Sequence, residues 1–156
     1  MAPSPDVFTQ AADTAPPTGT TGEPVVRILT DIRALTSDAP QPAGTRWKLA
    51  EPGRQLDANL VHLPPRQRVD AHTEPDLDVL LLVVAGHGTV GSTGATGARQ
   101  DQNLPQGLPQ SLADGSLLWL PRGSTRSLTA GEAGMSYLTV HPRRPGMQIR
   151  PHPDIG

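Results

Sequence analysis

Cysteine is absent from the chain. That removes disulfides, thiolate metal ligands, iron–sulfur clusters and cysteine nucleophiles at once. Aromatic residues are scarce: Phe8, Trp47, Trp119 and Tyr137 are the full set. A core must therefore be aliphatic, built on Leu and Val. Lys48 is the only lysine; the other basic residues are arginines, which a GC-rich coding sequence explains without an anion-binding role. A basic excess is missing too. The formal net charge is −2, which offers little to neutralise a phosphate backbone, so no nucleic-acid partner is expected. The longest apolar run, residues 79–85, is far too short to span a bilayer. The stretch "MAPSPDVFTQ" lacks the positive start and apolar region of a signal peptide. The expectation is a cytoplasmic protein with no membrane partner. Phosphate-cradling glycine loops, dinucleotide fingerprints and Gly-x-Ser-x-Gly elbows are also missing.

What the chain does have is punctuation. Its 156 residues suffice for one domain with a modest core, and they include 16 glycines and 18 prolines. Residues 1–24 are Pro, Thr, Ala and Gly with little to bury, which predicts a disordered tail. Residues 25–46 follow as a lead-in. There Val25, Ile28, Leu29, Ile32 and Leu35 recur at near-helical spacing, for a short helix or an irregular strand. From Trp47 the pattern becomes "RWKLA", "LDANLVHLPP", "DVLLLVVAG", "GSLLWLP" and "SYLTVHP". These short β-prone runs, each closed by Gly, Pro, Asp or Ser, predict an all-β sandwich or barrel over 47–144. Residues 91–110 are almost without apolar content and read as a mobile loop. Residues 145–156 form a Pro-rich C-terminal extension.

Two stretches carry more than punctuation. "HTEPDLDVLLLVVAG" opens with His72 and Glu74 and closes on Gly86; "GSLLWLPRGSTR" runs from Gly115 through Pro121 and Gly123 to Arg126. Together they resemble the two motifs of the cupin family: His-x-His, a few residues, Glu, six residues, Gly; then Gly, five residues, Pro-x-Gly, two residues, His. His72 matches the first histidine. Glu74 stands where the second would be, Val79 where the glutamate would be, and Arg126 where the last histidine would be. The scaffold glycines and proline match, but one of four usual metal ligands survives. The resemblance implies a single cupin-like β-barrel of jelly-roll type and a homodimer.

The altered ligand set poses a choice. Residues two apart on a strand share a face, so His72 and Glu74 could both enter the barrel and contribute to an iron, zinc, manganese or nickel site. His62, Asp78 or His141 could complete it. Asp78 could join only if it, rather than Val79, points inward, and a strand apolar on both faces does not decide its own register. Against the metal stands Arg126. A guanidinium about 4 Å from a dication meets roughly 8 kcal/mol of repulsion at an effective dielectric of 20, and it cannot shed its proton. The preferred expectation is that Glu74 and Arg126 pair and replace the ion. The pocket is then lined by His72, Glu74, Val79, Leu81, Trp119 and Arg126. As core residues Trp119 and Tyr137 need no further explanation, and as pocket residues they would suit a planar or sugar-like ligand; His87, between two glycines, is expected at the surface, and His152 carries no signal.

The function expected from these residues is binding of a small molecule, or a structural role, without a metal. The rivals are a metal-dependent dioxygenase or isomerase, and a metal-free acid–base enzyme of the sugar-epimerase kind using His72.

Overall fold

The computed structural model describes residues 24–37, 40–93 and 108–144. The tail expected over 1–24 and the extension over 145–156 fall almost wholly outside these residues. The described chain is one short helix and seven strands: α1 (Ile32–Ser37), β1 (Gly44–Lys48), β2 (Leu56–Leu63), β3 (Arg68–Thr73), β4 (Val79–Thr93), β5 (Gln110–Ala113), β6 (Leu117–Leu120) and β7 (Thr125–Pro142). All pairings are antiparallel. The all-β expectation holds.

Helix α1 is shorter than the apolar spacing implied. Asp31 caps it, its Oδ1 accepting the Arg33 N–H at 2.9 Å, as an N-cap carboxylate does. Val26 and Ile28, just before it, are almost fully exposed at 101% and 94%. A helix this short draws its stability from packing, and these side chains meet no partner face among the described residues.

Strands β4 and β7, of 15 and 18 residues, organise everything else. The first half of β4 pairs with β6 and with the end of β7; the second half pairs with β5 and with the start of β7. Strand β2 extends the first set and β3 the second. Two sheet halves thus share two continuous strands, and the register shifts where the halves meet, at Val83/Ala85 and Gly86/Gly88. Gly86 and Gly134 face each other there with φ of 79° and 77°. A Cβ on Gly86 would stand 2.1 Å from the Gly134 carbonyl oxygen. Gly86, which closes an apolar run in the sequence, is therefore a bulge inside a strand that continues, of the kind that bends a sheet. Gly88 needs no positive φ; close approach explains it, since its Cβ would lie 2.3 Å from the Thr129 carbonyl oxygen.

Between the halves lies an aliphatic core of Val79, Leu81, Val83, Val90, Leu112, Leu120, Leu128 and their neighbours, with Tyr137 included. Val79 is 6% exposed and Leu81 1%, so the first half of β4 turns its odd-numbered residues inward, and Asp78 is exposed. The loop expected over 91–110 is shorter at both ends. Gly91, Ser92 and Thr93 pair with Ser127, Arg126 and Thr125 on β7, and Gln110 belongs to β5. Ladder bonds to a central strand outweigh the weak strand preference of these residues. The rest, 94–107, lies outside the described residues.

Candidate functional site

Arg126 is the unusual residue of this interior. It lies on β7 in phase with Leu128 and Ala130, both buried, so alternation turns its side chain toward the core. It is 7% exposed. Among the described residues its Nη1 is buried with no hydrogen-bond partner. A cavity of about 560 Å³ opens beside it, reached by Val90, Leu118 and Leu120 from the apolar side and by Ser92 and Gln110 from the polar side. All four residues of β6 line this cavity. Among the described residues β6 pairs with β4 alone, which leaves the backbone groups of its other edge free for hydrogen bonding.

The ion pair expected between Glu74 and Arg126 is not formed. Glu74 lies one residue beyond the end of β3, so the two-residue parity with His72 does not carry across. Its carboxylate accepts the Asp76 N–H at 3.2 Å and pairs with the Arg144 guanidinium. Its carbonyl oxygen accepts the Gly123 N–H at 2.7 Å. Glu74 thus ties the chain before β4 to the turn after β6 and to the end of β7, and does not line the Arg126 cavity.

His72 sits directly opposite Arg126 in the β3–β7 register, yet it is exposed. Its Nδ1–H donates to the Asp70 carbonyl at 3.0 Å, which turns the ring back along its own strand. Val79 and Leu81 point inward but are packed into the core. Trp119 is 66% exposed and stands at the open side of the cavity.

The residues named as metal ligands do not converge. Asp78 accepts the Arg122 N–H at 2.9 Å, holding the β6–β7 turn. His141 is spent locally, its Nδ1–H donating to the Pro142 carbonyl at 2.9 Å. His62 lines a different cavity, of about 300 Å³, beneath α1. There its Nδ1 and the Ser136 Oγ share a hydrogen bond of 2.8 Å. Burial first, and the Arg46 charge second, hold the His62 imidazole below its ordinary value. Among the described residues no three His, Asp or Glu side chains are grouped so as to hold a metal ion. The donor set therefore does not fit the metal that the family motifs would bind.

No family model matches the chain, and no curated protein matches it. Solved structures do. BH2720 from Bacillus halodurans, a cupin-fold protein, superposes with a TM-score of 0.56 at 18% identity, over 76% of this chain and 83% of its own. This chain has a cupin fold. The Cnp3 cupin domain of Schizosaccharomyces pombe is also similar, with a TM-score of 0.49 at 12% identity over 63% of each chain. So is oxalate decarboxylase of Bacillus subtilis, with a TM-score of 0.48 at 19% identity over 58% of this chain and 22% of its own. The likeness to BH2720, at 18% identity, speaks for the fold alone, and a fold does not set a function.

Within that fold, sequence reasoning missed Ser92 and Gln110, because both fell in a stretch read as loop. The signal was weak: Ser92 shares the face of the apolar Val90 two residues before it but is polar, and so breaks the alternation that marks a strand. Ser136 was read only as the residue that bounds the run "SYLTVHP". Burial pushes the phenol of its neighbour Tyr137 up, consistent with a core role. No helix among the described residues is long and apolar enough to cross a membrane.

Proposed function

We propose that this protein is a metal-independent cupin that binds a small molecule in the cavity beside Arg126. One observation carries the reading: the position where the family motif places a metal-binding histidine holds a buried arginine whose Nη1 has no acceptor among the described residues, and it borders a cavity of about 560 Å³. That volume lies within the range of ordinary small-molecule sites. A guanidinium there opposes a cation and offers fixed donors to a ligand instead.

The protein also forms a homodimer in this reading. Leu80, Leu117 and Trp119 are 48%, 67% and 66% exposed. Leu80 and Trp119 are direct cross-strand partners, and Leu117 pairs with Leu82 beside them. Adjacent exposed apolar side chains of this kind mark interaction surfaces.

The test is elemental analysis of protein purified without chelators, beside its His72→Ala variant, followed by thermal-shift screening of small molecules. The expected result is no stoichiometric iron, zinc, manganese or nickel in either sample, and ligands that raise the melting temperature. A near-stoichiometric metal that disappears in His72→Ala overturns the reading.

A further inference from the structure

We infer that the ligand of this cavity is a small organic carboxylate with an apolar body, its carboxylate held by the Arg126 guanidinium. The inference rests on the ligand-binding reading above and names the chemistry of that ligand.

Charge is the first argument. The chain as a whole carries a net charge of −2, yet among the described residues the cavity is lined by two arginines, Arg126 within and Arg122 at its exposed edge, and by no aspartate or glutamate. A site against the sign of the whole protein selects anions. The nearby acids are already engaged. Asp78 accepts the Arg122 N–H, and Glu74 is held by Arg144 and the Asp76 N–H.

Burial is the second. A buried charged donor without an acceptor is costly to the folded state, and an anionic ligand removes that cost when it binds. The guanidinium is a planar fork of N–H groups that fits a carboxylate with two parallel bonds. A single buried fork suits a carboxylate better than a phosphate, whose greater charge calls for more donors.

The walls supply the third. Val90, Leu118 and Leu120 line the cavity and would cover aliphatic or aromatic carbon. Ser92 and Gln110, also lining it, can reach further polar groups of the ligand.

The experiment is calorimetric titration of the full chain with hexanoate and phenylacetate, with hexanamide and phenylacetamide as uncharged matches, and with inorganic phosphate. Two variants accompany it. Arg126→Met keeps an unbranched, flexible stem and removes the charge; Arg126→Lys keeps the charge and removes the fork. The carboxylates are expected to bind at least roughly tenfold more tightly than their amides, with phosphate weaker than either carboxylate. Arg126→Met is expected to abolish the preference while still admitting the amides, which shows that its cavity is intact. Arg126→Lys is expected to retain part of it. Amides that bind as well as the carboxylates overturn the inference and leave the ligand-binding cupin standing. So does a carboxylate preference that persists in Arg126→Met. Failure of carboxylates, amides and phosphate alike at millimolar concentration, in folded protein, overturns the inference; failure of a broad thermal-shift screen as well overturns the reading beneath it.

Discussion

Replacing Arg126 by methionine should make the ligand-free protein more stable. Arg126 is 7% exposed, with Nη1 buried and without a partner among the described residues. Leaving a buried donor unsatisfied costs about 1–3 kcal/mol, and more when the group is charged. Methionine removes that cost, keeps an unbranched stem and adapts to irregular space. Its thioether would lie beside Val90 and Leu120, which line the same cavity. Some of the gain is lost, because the rest of the guanidinium borders an open cavity and forfeits its hydration. A net gain of about 1–2 kcal/mol remains, the lower part of the range for an unsatisfied donor. For a chain of 156 residues, each kcal/mol moves the melting temperature by about 2–4 °C, so Arg126→Met should melt about 2–8 °C higher than the parent. The assay is thermal unfolding followed by circular dichroism, without added ligand and after exhaustive dialysis. Arg126→Lys, which keeps a buried charge, should show no such gain. A fall of several degrees in Arg126→Met would refute the reasoning. It would mean that the guanidinium is a structural tie, fully satisfied in solution, and that its retention has nothing to do with a ligand. A rise would place Arg126 among residues that trade stability for binding.

Glu74→Ala should cost about 1 kcal/mol or less, because its partner Arg144 is 61% exposed and exposed pairs contribute little; urea unfolding checks this, and a much larger loss would revive a buried partner for Glu74. Gly86→Ala should destabilise by on the order of 3 kcal/mol or more, since the new methyl would meet the Gly134 carbonyl oxygen at 2.1 Å at a φ of +79°; soluble yield and urea midpoint report it. His62 supplies a pH dependence. Its folded value lies below the ordinary 6.5, so the unfolded chain takes up the proton first. The associated stability is intact above about 6.5 and is lost as pH falls through the lower folded value. Urea midpoints at about pH 7.5 and about pH 5 should therefore differ less in His62→Gln than in the parent. Trp119→Glu should shift the protein from dimer to monomer in sedimentation velocity; a parent that sediments as a monomer refutes the dimer outright.

The strands were legible where apolar runs end on Gly or Pro, because there the period and the punctuation agree. They were illegible at 91–93, where polar residues enter β4 only because β7 offers ladder partners, and along the first half of β7, whose Ser, Thr and Gly carry little apolar signal. The inward position of Arg126 could be read from motif spacing. Its lack of a partner could not, since that depends on where Glu74 goes, and Glu74 leaves its strand one residue too early to follow His72. Likewise the spacing of His62, His72 and His141 says nothing of direction: one ring sits beneath α1 and two turn back on their own backbone.

The arrangement of β7 also determines when this chain can fold. That strand pairs with β2, β3 and β4, so Leu56 waits for Pro142 and Arg68 for Thr129. While the ribosome still holds residues 125–142, the emerging chain can close its local pairings β1–β2, β4–β5 and β4–β6 and little else. Its aliphatic strands stay uncovered throughout that interval. Such distant pairings predict slow, post-translational folding, and a chain interrupted before β7 would expose apolar strand edges of the kind that aggregate.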